Sequence, residues 1–108
     1  GCTNQACALL DAYPQIDAIQ CYNDLIASGA LRAVMEQGRR VPDDVAIIGC
    51  DDILLASLLT PSLTTLRSDL EGIGEALVNL LLKRINGTTD ASDNVVFHQE
   101  FIMRESAP

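Results

Sequence analysis

The stretch VAIIGCDD at residues 45–52 decides the fold class of this chain. Its first six residues form a continuous apolar run, which is typical of a strand buried on both faces of a parallel sheet. The run stops abruptly at Asp51-Asp52, and an earlier run, IDAIQCY at residues 16–22, stops in the same way at Asn23-Asp24. These two runs predict an α/β protein built on a parallel sheet.

The segments around the two strands alternate between helical and strand-like patterns. Apolar residues recur at helical spacing in the predicted helices, which lie at about 3–13, 24–37, 53–59 and 69–86. Two further strands are predicted at 63–67 and 95–104. This order predicts a three-layer, Rossmann-like parallel sheet flanked by helices and joined by right-handed crossovers. We expect the apolar stripe of the last helix to belong to the core.

The composition excludes several classes of protein. A length of 108 residues fits one small domain, and 48% hydrophobic against 20% charged residues excludes a disordered tail. Fifteen acids against seven bases give a formal charge of −8, so the chain by itself is not expected to bind DNA. No signal peptide is visible, and no apolar run is long enough to predict a membrane span.

Cysteine, histidine and metal chemistry are not expected. The cysteines are Cys2, Cys7, Cys21 and Cys50, without a C-x-x-C pair, and His98 is the only histidine. Because structural zinc needs ligands paired at short spacing, we predict no metal site and no cofactor. All four cysteines lie in hydrophobic stretches, which favours reduced thiols in a cytosolic protein. No catalytic residue is predicted, since the chain lacks a G-x-S-x-G motif and a P-loop.

The polar pairs after the two apolar runs are the candidate binding residues. Ligands of open parallel sheets bind beyond the carboxyl ends of the strands. An Asn amide and Asp carboxylates offer the donors and acceptors that suit the vicinal hydroxyls of a sugar or nucleoside. Other interpretations stay open: either pair could be only a helix N-cap, and Asp51-Asp52 could be a general acid and base or magnesium ligands. No third acid is positioned to complete such a catalytic or metal site.

Four motifs in order give the chain a family resemblance. From about Asp17 to Ser106 it resembles the C-terminal part of a LacI/GalR-type transcriptional regulator. The motifs are N-D-x-x-A-x-G-A at 23–30, V-P-D-D-V at 41–45, G-x-D-D at 49–52 and L-T-P-x-L-T-T at 59–65, with an R-E-S ending at 104–106. The related periplasmic sugar-binding proteins usually carry a G-F-D-G turn, so Asp52 and the stretch 60–74 favour the regulator.

The resemblance implies roles for particular residues. Asn23 and Asp51 match positions that hydrogen-bond the hydroxyls of an effector. Ser68 and Leu70 match positions at the crossover between two lobes, where they face the cleft. The helix at 25–37 and the segment 53–59 match the homodimer surface. The residues implied there are Leu25, Ser28, Leu54, Leu55, Leu58 and Leu59.

Two departures from the family pattern lie beside the implied ligand residues. Cys50 stands where the family usually has Phe or Tyr, and Tyr22 stands where it usually has Ala. The shape of the pocket and the identity of the effector therefore do not carry over. A redox link between Cys21 and Cys50 at the cleft edge is a further hypothesis.

The resemblance also implies an incomplete fold of the periplasmic binding protein-like I type. The chain is expected to be the C-terminal lobe of an effector-binding domain, with residues about 69–94 belonging to the other lobe. The implied protein is a cytoplasmic homodimer that senses a sugar or related small molecule, has no membrane partner, and reaches operator DNA only through an absent N-terminal helix-turn-helix. We expect the chain alone to bind effector weakly, because half of the cleft is missing. The alternatives are a fragment of a periplasmic sugar-binding transport protein, an enzyme of flavodoxin-like fold and a structural dimer scaffold.

Overall fold

Helices and strands alternate along the described part of the chain, in the predicted order. The computed structural model describes residues 5–88 and 93–108. The helices are α1 (Gln5–Ala12), α2 (Asp24–Glu36), α3 (Leu54–Leu58) and α4 (Leu70–Ile85), and the strands are β1 (Ala18–Gln20), β2 (Ala46–Ile48), β3 (Thr65–Arg67) and β4 (Glu100–Ile102). The predicted α/β class is therefore confirmed. Among the described residues, no helix combines the length and the apolar character needed to cross a membrane.

The first two strands pair as predicted and the last strand does not. β1 and β2 are parallel, with Ile19 opposite Ile47, and a parallel bridge between Ile48 and Thr64 connects β2 to the start of β3. β4, however, is antiparallel to β3, so the expectation of parallel pairing is wrong for this strand. The physical reason is the pairing of Arg67 with Glu100: the chain returns beside the point where it left the sheet and runs back along the same strand.

The chain divides into two compact units. The first consists of residues 1–67 with 100–108, and the second of residues 68–99. The predicted last strand at 95–104 straddles this division. Only its residues 100–102 pair with β3, whereas 95–99 have no regular structure and belong to the second unit. The strand is therefore shorter than predicted.

The first unit has an aliphatic core, and only 4% of the residues in the sequence are aromatic. Val45 and Ile47 from the region of β2 are fully buried, and Val34 from α2 and Leu63 pack with them. Small buried residues allow the helices to approach closely. These are Ala27 and Ala30 of α2 and Ala56 of α3. Burial of such aliphatic side chains is the main stabilising contribution to this unit.

The R-E-S ending closes the first unit. The buried Ser106 hydroxyl accepts a hydrogen bond from Thr64 N at 2.8 Å and donates one to Ile47 O at 2.6 Å. The Ser106 backbone donates to Ser62 O and accepts from Ile47 N. Glu105 accepts hydrogen bonds from the backbone and hydroxyl of Ser62, which hold its pKa below the ordinary value. The ending therefore satisfies backbone groups of two neighbouring segments that would otherwise be buried without partners.

The second unit consists mainly of α4, most of whose large apolar residues are exposed. Asp69 caps the helix by accepting from Gly72 N at 2.9 Å, and Lys83 and Arg84 lie in the last turn. No residue of α4 is buried, so the prediction that its apolar stripe belongs to the core is wrong for this chain. The exposed large apolar residues of α4 are Leu70, Leu77, Val78, Leu81, Leu82 and Ile85. One helix and a short irregular segment contain too little chain to cover that face.

We expect Gly49→Ala to destabilise the chain by about 2 kcal/mol, because the added methyl group has no space. A Cβ at Gly49 would overlap with the Asp24 Oδ1 atom and lie 3.0 Å from Leu63 Cδ2. Gly74→Ala is the control, since its Cβ would meet no atom within 4 Å. In a helix interior this change should stabilise by about 0.5–1 kcal/mol. Urea denaturation measures both variants, and a Gly49→Ala variant as stable as the parent would contradict the prediction.

Candidate functional site

The carboxyl ends of β1 and β2 lie side by side. Cys21 N donates to Ile48 O at 2.8 Å, and Asp24 N donates to Cys50 O at 2.9 Å. The two polar pairs, Asn23-Asp24 and Asp51-Asp52, therefore meet at one edge of the sheet. This is the edge at which open parallel sheets bind their ligands.

Within the first pair, Asn23 is the helix cap and remains half-buried at the surface. Its Oδ1 atom accepts a hydrogen bond from Ile26 N at 2.8 Å, which makes Asn23 the N-cap of α2. A cap uses only the side-chain oxygen. The Nδ2 group of Asn23 is therefore available as a donor to a ligand.

Asp24 has a structural role instead. Its side chain is buried, at 1% exposure, and it links three segments of the first unit. Oδ2 accepts from Ile53 N at 2.9 Å, and Oδ1 accepts from the Thr65 hydroxyl at 2.6 Å. Among the described residues, no buried side-chain polar atom lacks a hydrogen bond. Asp24 is thus fully engaged and not accessible to a ligand.

The second pair lies in a turn with unusual backbone geometry. Asp51 has φ 104° and Asp52 has φ 52°, and both values lie in the left-handed region that residues other than glycine rarely adopt. Hydrogen bonds from β3 hold the turn: Asp51 N donates to Leu66 O at 2.8 Å, and Asp52 N donates to Thr65 Oγ1 at 3.4 Å. Strained backbone of this kind is concentrated at functional sites. Here it places the exposed carboxylate of Asp51 at the edge of the sheet.

Asp52 is held by two arginines. Its Oδ2 atom accepts from Arg67 Nε at 2.7 Å, and its Oδ1 atom lies 2.8 Å from Arg104 Nη2. The side chain is only 9% exposed. Burial would raise the pKa of this carboxyl, but the hydrogen bonds from Arg67 and Arg104 outweigh it and hold the pKa below its ordinary value. Asp52 is therefore an ionised scaffold residue.

This arrangement does not favour an acid and base pair or a magnesium site at Asp51-Asp52. The Asp52 carboxylate is already occupied by arginines, which leaves one accessible carboxylate at the edge. In the part of the chain that the structure describes, no group of three or more His, Cys, Asp or Glu residues could hold a metal ion. The edge is better suited to hydrogen bonding than to catalysis.

Sequence reasoning missed the partners of these acids. Thr65, Arg67 and Arg104 lie in motifs or predicted strands, but nothing in their spacing in the sequence indicates that they contact Asp24 and Asp52. The available signal was chemical, because an acid next to a buried strand needs a hydrogen-bond donor or a base. Which donor it finds depends on the pairing of β3 and β4.

The other two predicted ligand residues belong to the second unit. The hydroxyl of Ser68 accepts a hydrogen bond from Gln99 Nε2 at 3.0 Å. Leu70 is the first residue of α4 and is 74% exposed. The structure thus brings Asn23 and Asp51 together at one edge of the first unit, whereas Ser68 and Leu70 belong to the second unit.

The predicted dimer residues form a partly exposed surface on α2 and α3. Leu54 and Leu58 of α3 are 77% and 68% exposed, and Leu25 of α2 is exposed as well. Ser28, Leu55 and Leu59 are half-buried, and Leu59 packs against the core. We call this surface, formed by the six residues together, the α2–α3 face.

A separate groove of about 630 Å³ lies in the first unit, and neither Asn23 nor Asp51 lines it. Its lining residues are Gln5, Ala6 and Leu9 of α1, Ile19 and Gln20 of β1, Cys21, Tyr22, and Ile26, Gly29 and Ala30 of α2.

The cysteines differ in state. Cys21 and Cys50 are not disulfide-bonded, and burial raises the pKa of Cys21. Cys7 is disulfide-bonded, so the expectation of reduced thiols throughout is wrong for this residue. Cys2 lies outside the described residues. The redox link between Cys21 and Cys50 stays a hypothesis.

Comparison with known proteins places this chain in one family. The profile of the periplasmic binding protein-like domain matches residues 2–107. A lactose operon repressor from Rhizobium radiobacter is 44% identical over 103 residues, which are 95% of this chain and 90% of that relative. The transcriptional regulator CelR of Thermobifida fusca is 38% identical over 98 residues. The chain therefore belongs to the periplasmic binding protein-like domain family, in the branch of LacI-type transcriptional regulators.

Solved structures agree with this assignment. A LacI family transcriptional regulator from Arthrobacter sp. FB24, in complex with lactose, is 40% identical, with a TM-score of 0.83 over 95% of this chain and 40% of that chain. The CelR–cellobiose complex is 36% identical, with a TM-score of 0.85 over 94% of this chain and 32% of that one. Among the curated relatives, the chain spans 29% of the length of CelR but 90% of the length of the lactose operon repressor.

We expect the ion pairs of Asp52 to stabilise the chain in a pH-dependent way. Its pKa is lower in the folded chain than the ordinary value of 3.8, so the stabilisation is present above that pH. It is lost as the pH falls through the folded-state pKa. The difference in unfolding free energy between the parent and Asp52→Asn should therefore shrink as the pH falls below 3.8.

Urea denaturation at several pH values measures this difference. The same comparison in an Arg67→Gln background should show a weaker pH dependence, because one of the two ion pairs is gone. A difference that does not change with pH would contradict the prediction.

Proposed function

We propose that this chain is the effector-sensing and dimerisation part of a LacI-type transcriptional regulator, and that it binds a ligand without catalysing a reaction. The observation that carries the proposal is the exposed Asp51 carboxylate, held in a left-handed turn beside Asn23 at the carboxyl edge of a parallel sheet. Neighbouring carboxylates and arginines are committed to the scaffold, which leaves this edge for hydrogen bonding to a ligand.

The effector proposed is a sugar. Asp51 offers acceptors and the Nδ2 group of Asn23 offers a donor, which together suit two neighbouring hydroxyl groups. Ser68 and Leu70 of the second unit are proposed as further ligand contacts, one polar and one apolar. Lactose is the first candidate, because the names of two relatives at 44% and 40% identity refer to it. Cys50 and Tyr22 beside the site would then adjust its shape.

We propose that the chain is one part of a longer regulator, and its partial coverage of its relatives supports this. It spans 31% of the regulator YvdE of Bacillus subtilis and 40% of the lactose-bound structure. We assign it to the C-terminal lobe, with residues about 69–94 belonging to the other lobe. Operator DNA would be bound by a helix-turn-helix elsewhere, since the charge of −8 opposes DNA binding here. Sugar binding would change lobe closure, and the protein would act in the cytoplasm.

A transport protein is the weaker alternative. The family model alone allows it, because the periplasmic binding protein-like domain covers both roles. The Asp52 position and the T-P-x-L-T-T stretch favour a regulator. The regulator names of the relatives support the same choice.

The partner proposed for the α2–α3 face is a second copy of the chain. The exposed leucines of α3 rest on a buried Ala56, and α2 beside them buries Ala27 and Ala30. The face is thus apolar and firmly supported by the core. Exposed apolar patches on such a base are typical of protein interfaces.

We expect the full-length protein that contains this chain to bind lactose, and Asn23→Ser to weaken this binding about tenfold or more. Serine retains the helix cap but removes the Nδ2 donor. Asn86→Ser, at the C-cap of α4, is the matched control and should leave the affinity unchanged. Isothermal titration calorimetry measures both, and the 108-residue chain alone should bind weakly or not at all.

Other results of this titration would be decisive. If the parent protein bound neither lactose nor cellobiose, the sugar proposal would fail. If it bound lactose and Asn23→Ser made no difference, the site would lie elsewhere.

We expect Leu58→Asp to convert a dimer into a monomer, because a buried unpaired charge is costly at an interface. Leu58 is exposed within one copy, so the fold should tolerate the change. Tyr13→Asp, on an exposed apolar residue outside the α2–α3 face, is the control. Sedimentation velocity gives the oligomeric state, and a Leu58→Asp variant that remained dimeric would exclude this surface.

A further inference from the structure

We propose that Asp52 is a positioning residue for the effector site, whose ion pairs hold the turn at residues 50–53 so that the Asp51 carboxylate faces the ligand. This inference rests on the proposed function, in which Asp51 contacts the effector. The direct partner of the ligand would be Asp51, and Asp52 would act through it.

The backbone of the turn gives the first argument. Asp51 and Asp52 both have positive φ, and neither is glycine, so the turn needs interactions that keep it from relaxing. The backbone N–H groups of residues 51, 52 and 53 donate, in that order, to Leu66 O, Thr65 Oγ1 and Asp24 Oδ2. The Asp52 to Thr65 bond, at 3.4 Å, is the longest of the three. The backbone hydrogen bond of Asp52 is therefore the weakest of the three, and the position of Asp52 depends most on the ion pairs of its side chain.

The side chain of Asp52 supplies that fixation from two directions. Oδ2 is bound by both Nε and Nη2 of Arg67, each at 2.7 Å, and Oδ1 is bound by Arg104 Nη2 at 2.8 Å. Arg67 is the last residue of β3, and Arg104 follows β4. Arg104 is itself oriented by a hydrogen bond to Leu63 O at 3.0 Å. Two charged partners, one at the end of β3 and one after β4, determine both the position and the rotation of the carboxylate.

The adjacency of the two aspartates transmits this fixation. The peptide unit between them is planar, so a rotation of that unit changes the backbone angles of both residues together. Asp51 has no side-chain hydrogen bond to any described residue, and its orientation therefore comes from the backbone alone. Asp51 also follows Cys50, whose carbonyl is fixed by Asp24 N. Asp51 is thus flanked by two fixed residues, with Cys50 held through its carbonyl and Asp52 held through its side chain.

The same group lies where the chain leaves and re-enters the first unit. Arg67 is the last residue before the second unit, and Glu100, 3.8 Å from Arg67 Nη1, is the first residue after it. The position of Asp51 is therefore tied, through Asp52, to both crossing points of the chain.

The test is a lactose titration by calorimetry on the full-length protein. Asp52→Asn retains the shape of the side chain but weakens both ion pairs, and it should weaken lactose binding about tenfold. Asp44→Asn is the matched control, since it breaks another aspartate–arginine pair, to Arg40 Nε at 3.0 Å, in a turn after α2. It should leave the affinity unchanged. An Asp52→Asn variant that binds lactose like the parent, even if it is less stable, would overturn the proposal.

A double variant tests whether Asp52 acts through Asp51. Asp51→Gly removes the carboxylate and tolerates positive φ, so it should lose lactose affinity without straining the turn. Adding Asp52→Asn to Asp51→Gly should then cause no further loss. Additive losses would overturn the proposal, because they would show that Asp52 affects the ligand independently.

A second measurement does not need a sugar. The three-bond HN–Hα coupling and the chemical shifts of Asp51 report its φ angle by NMR. Asp52→Asn should change them and Asp44→Asn should not. If both variants retained the coupling of the parent, the proposal would fail. If the parent bound no lactose while the coupling changed as expected, the proposed ligand would fail and the positioning role of Asp52 would hold.

Discussion

The buried carboxylate of Asp24 is the constraint on which the site depends. A carboxylate in the interior is costly unless hydrogen bonds satisfy it, and this one obtains them from Ile53 N and the Thr65 hydroxyl. These donors come from the turn after β2 and from β3, so the start of α2 is fixed to both. The absence of a side chain at Gly49 makes room for the same carboxylate. Three segments therefore hold their relative positions through one side chain.

The two polar pairs share the same arrangement of an accessible and an engaged residue. In Asn23-Asp24 and in Asp51-Asp52, the first residue is accessible and the second is taken up by the scaffold. Both pairs follow parallel strands that end at one edge of the sheet. In each pair the second carboxylate has a partner on β3, Thr65 or Arg67, so the repeated order follows from the position of β3 beside this edge. It explains why a sequence with four polar residues at this edge offers only two of them to a ligand.

The sequence was sufficient to predict the order of helices and strands, because hydrophobic periodicity is a local property. It was insufficient for the direction of β4, which depends on the pairing of Arg67 with Glu100 across a whole compact unit. The partners of Asp24 and Asp52 were missed for the same reason, since they are distant in sequence. Strand ends could be located from the residues alone. Which polar side chain is buried there depends on tertiary contacts.

The exposed apolar surfaces illustrate a different limit. Periodicity in α4 shows that one face is apolar, but it contains no information on what covers that face. The α2–α3 face has buried alanines beneath its exposed leucines, so its shape is already set by the core of the first unit. No residue of α4 is buried, and its stripe has no such support in the described chain. Rigid support favours association between preformed surfaces, whereas a helix without it gains its order from whatever packs against it. Equal hydrophobicity on the two surfaces therefore does not mean an equal role.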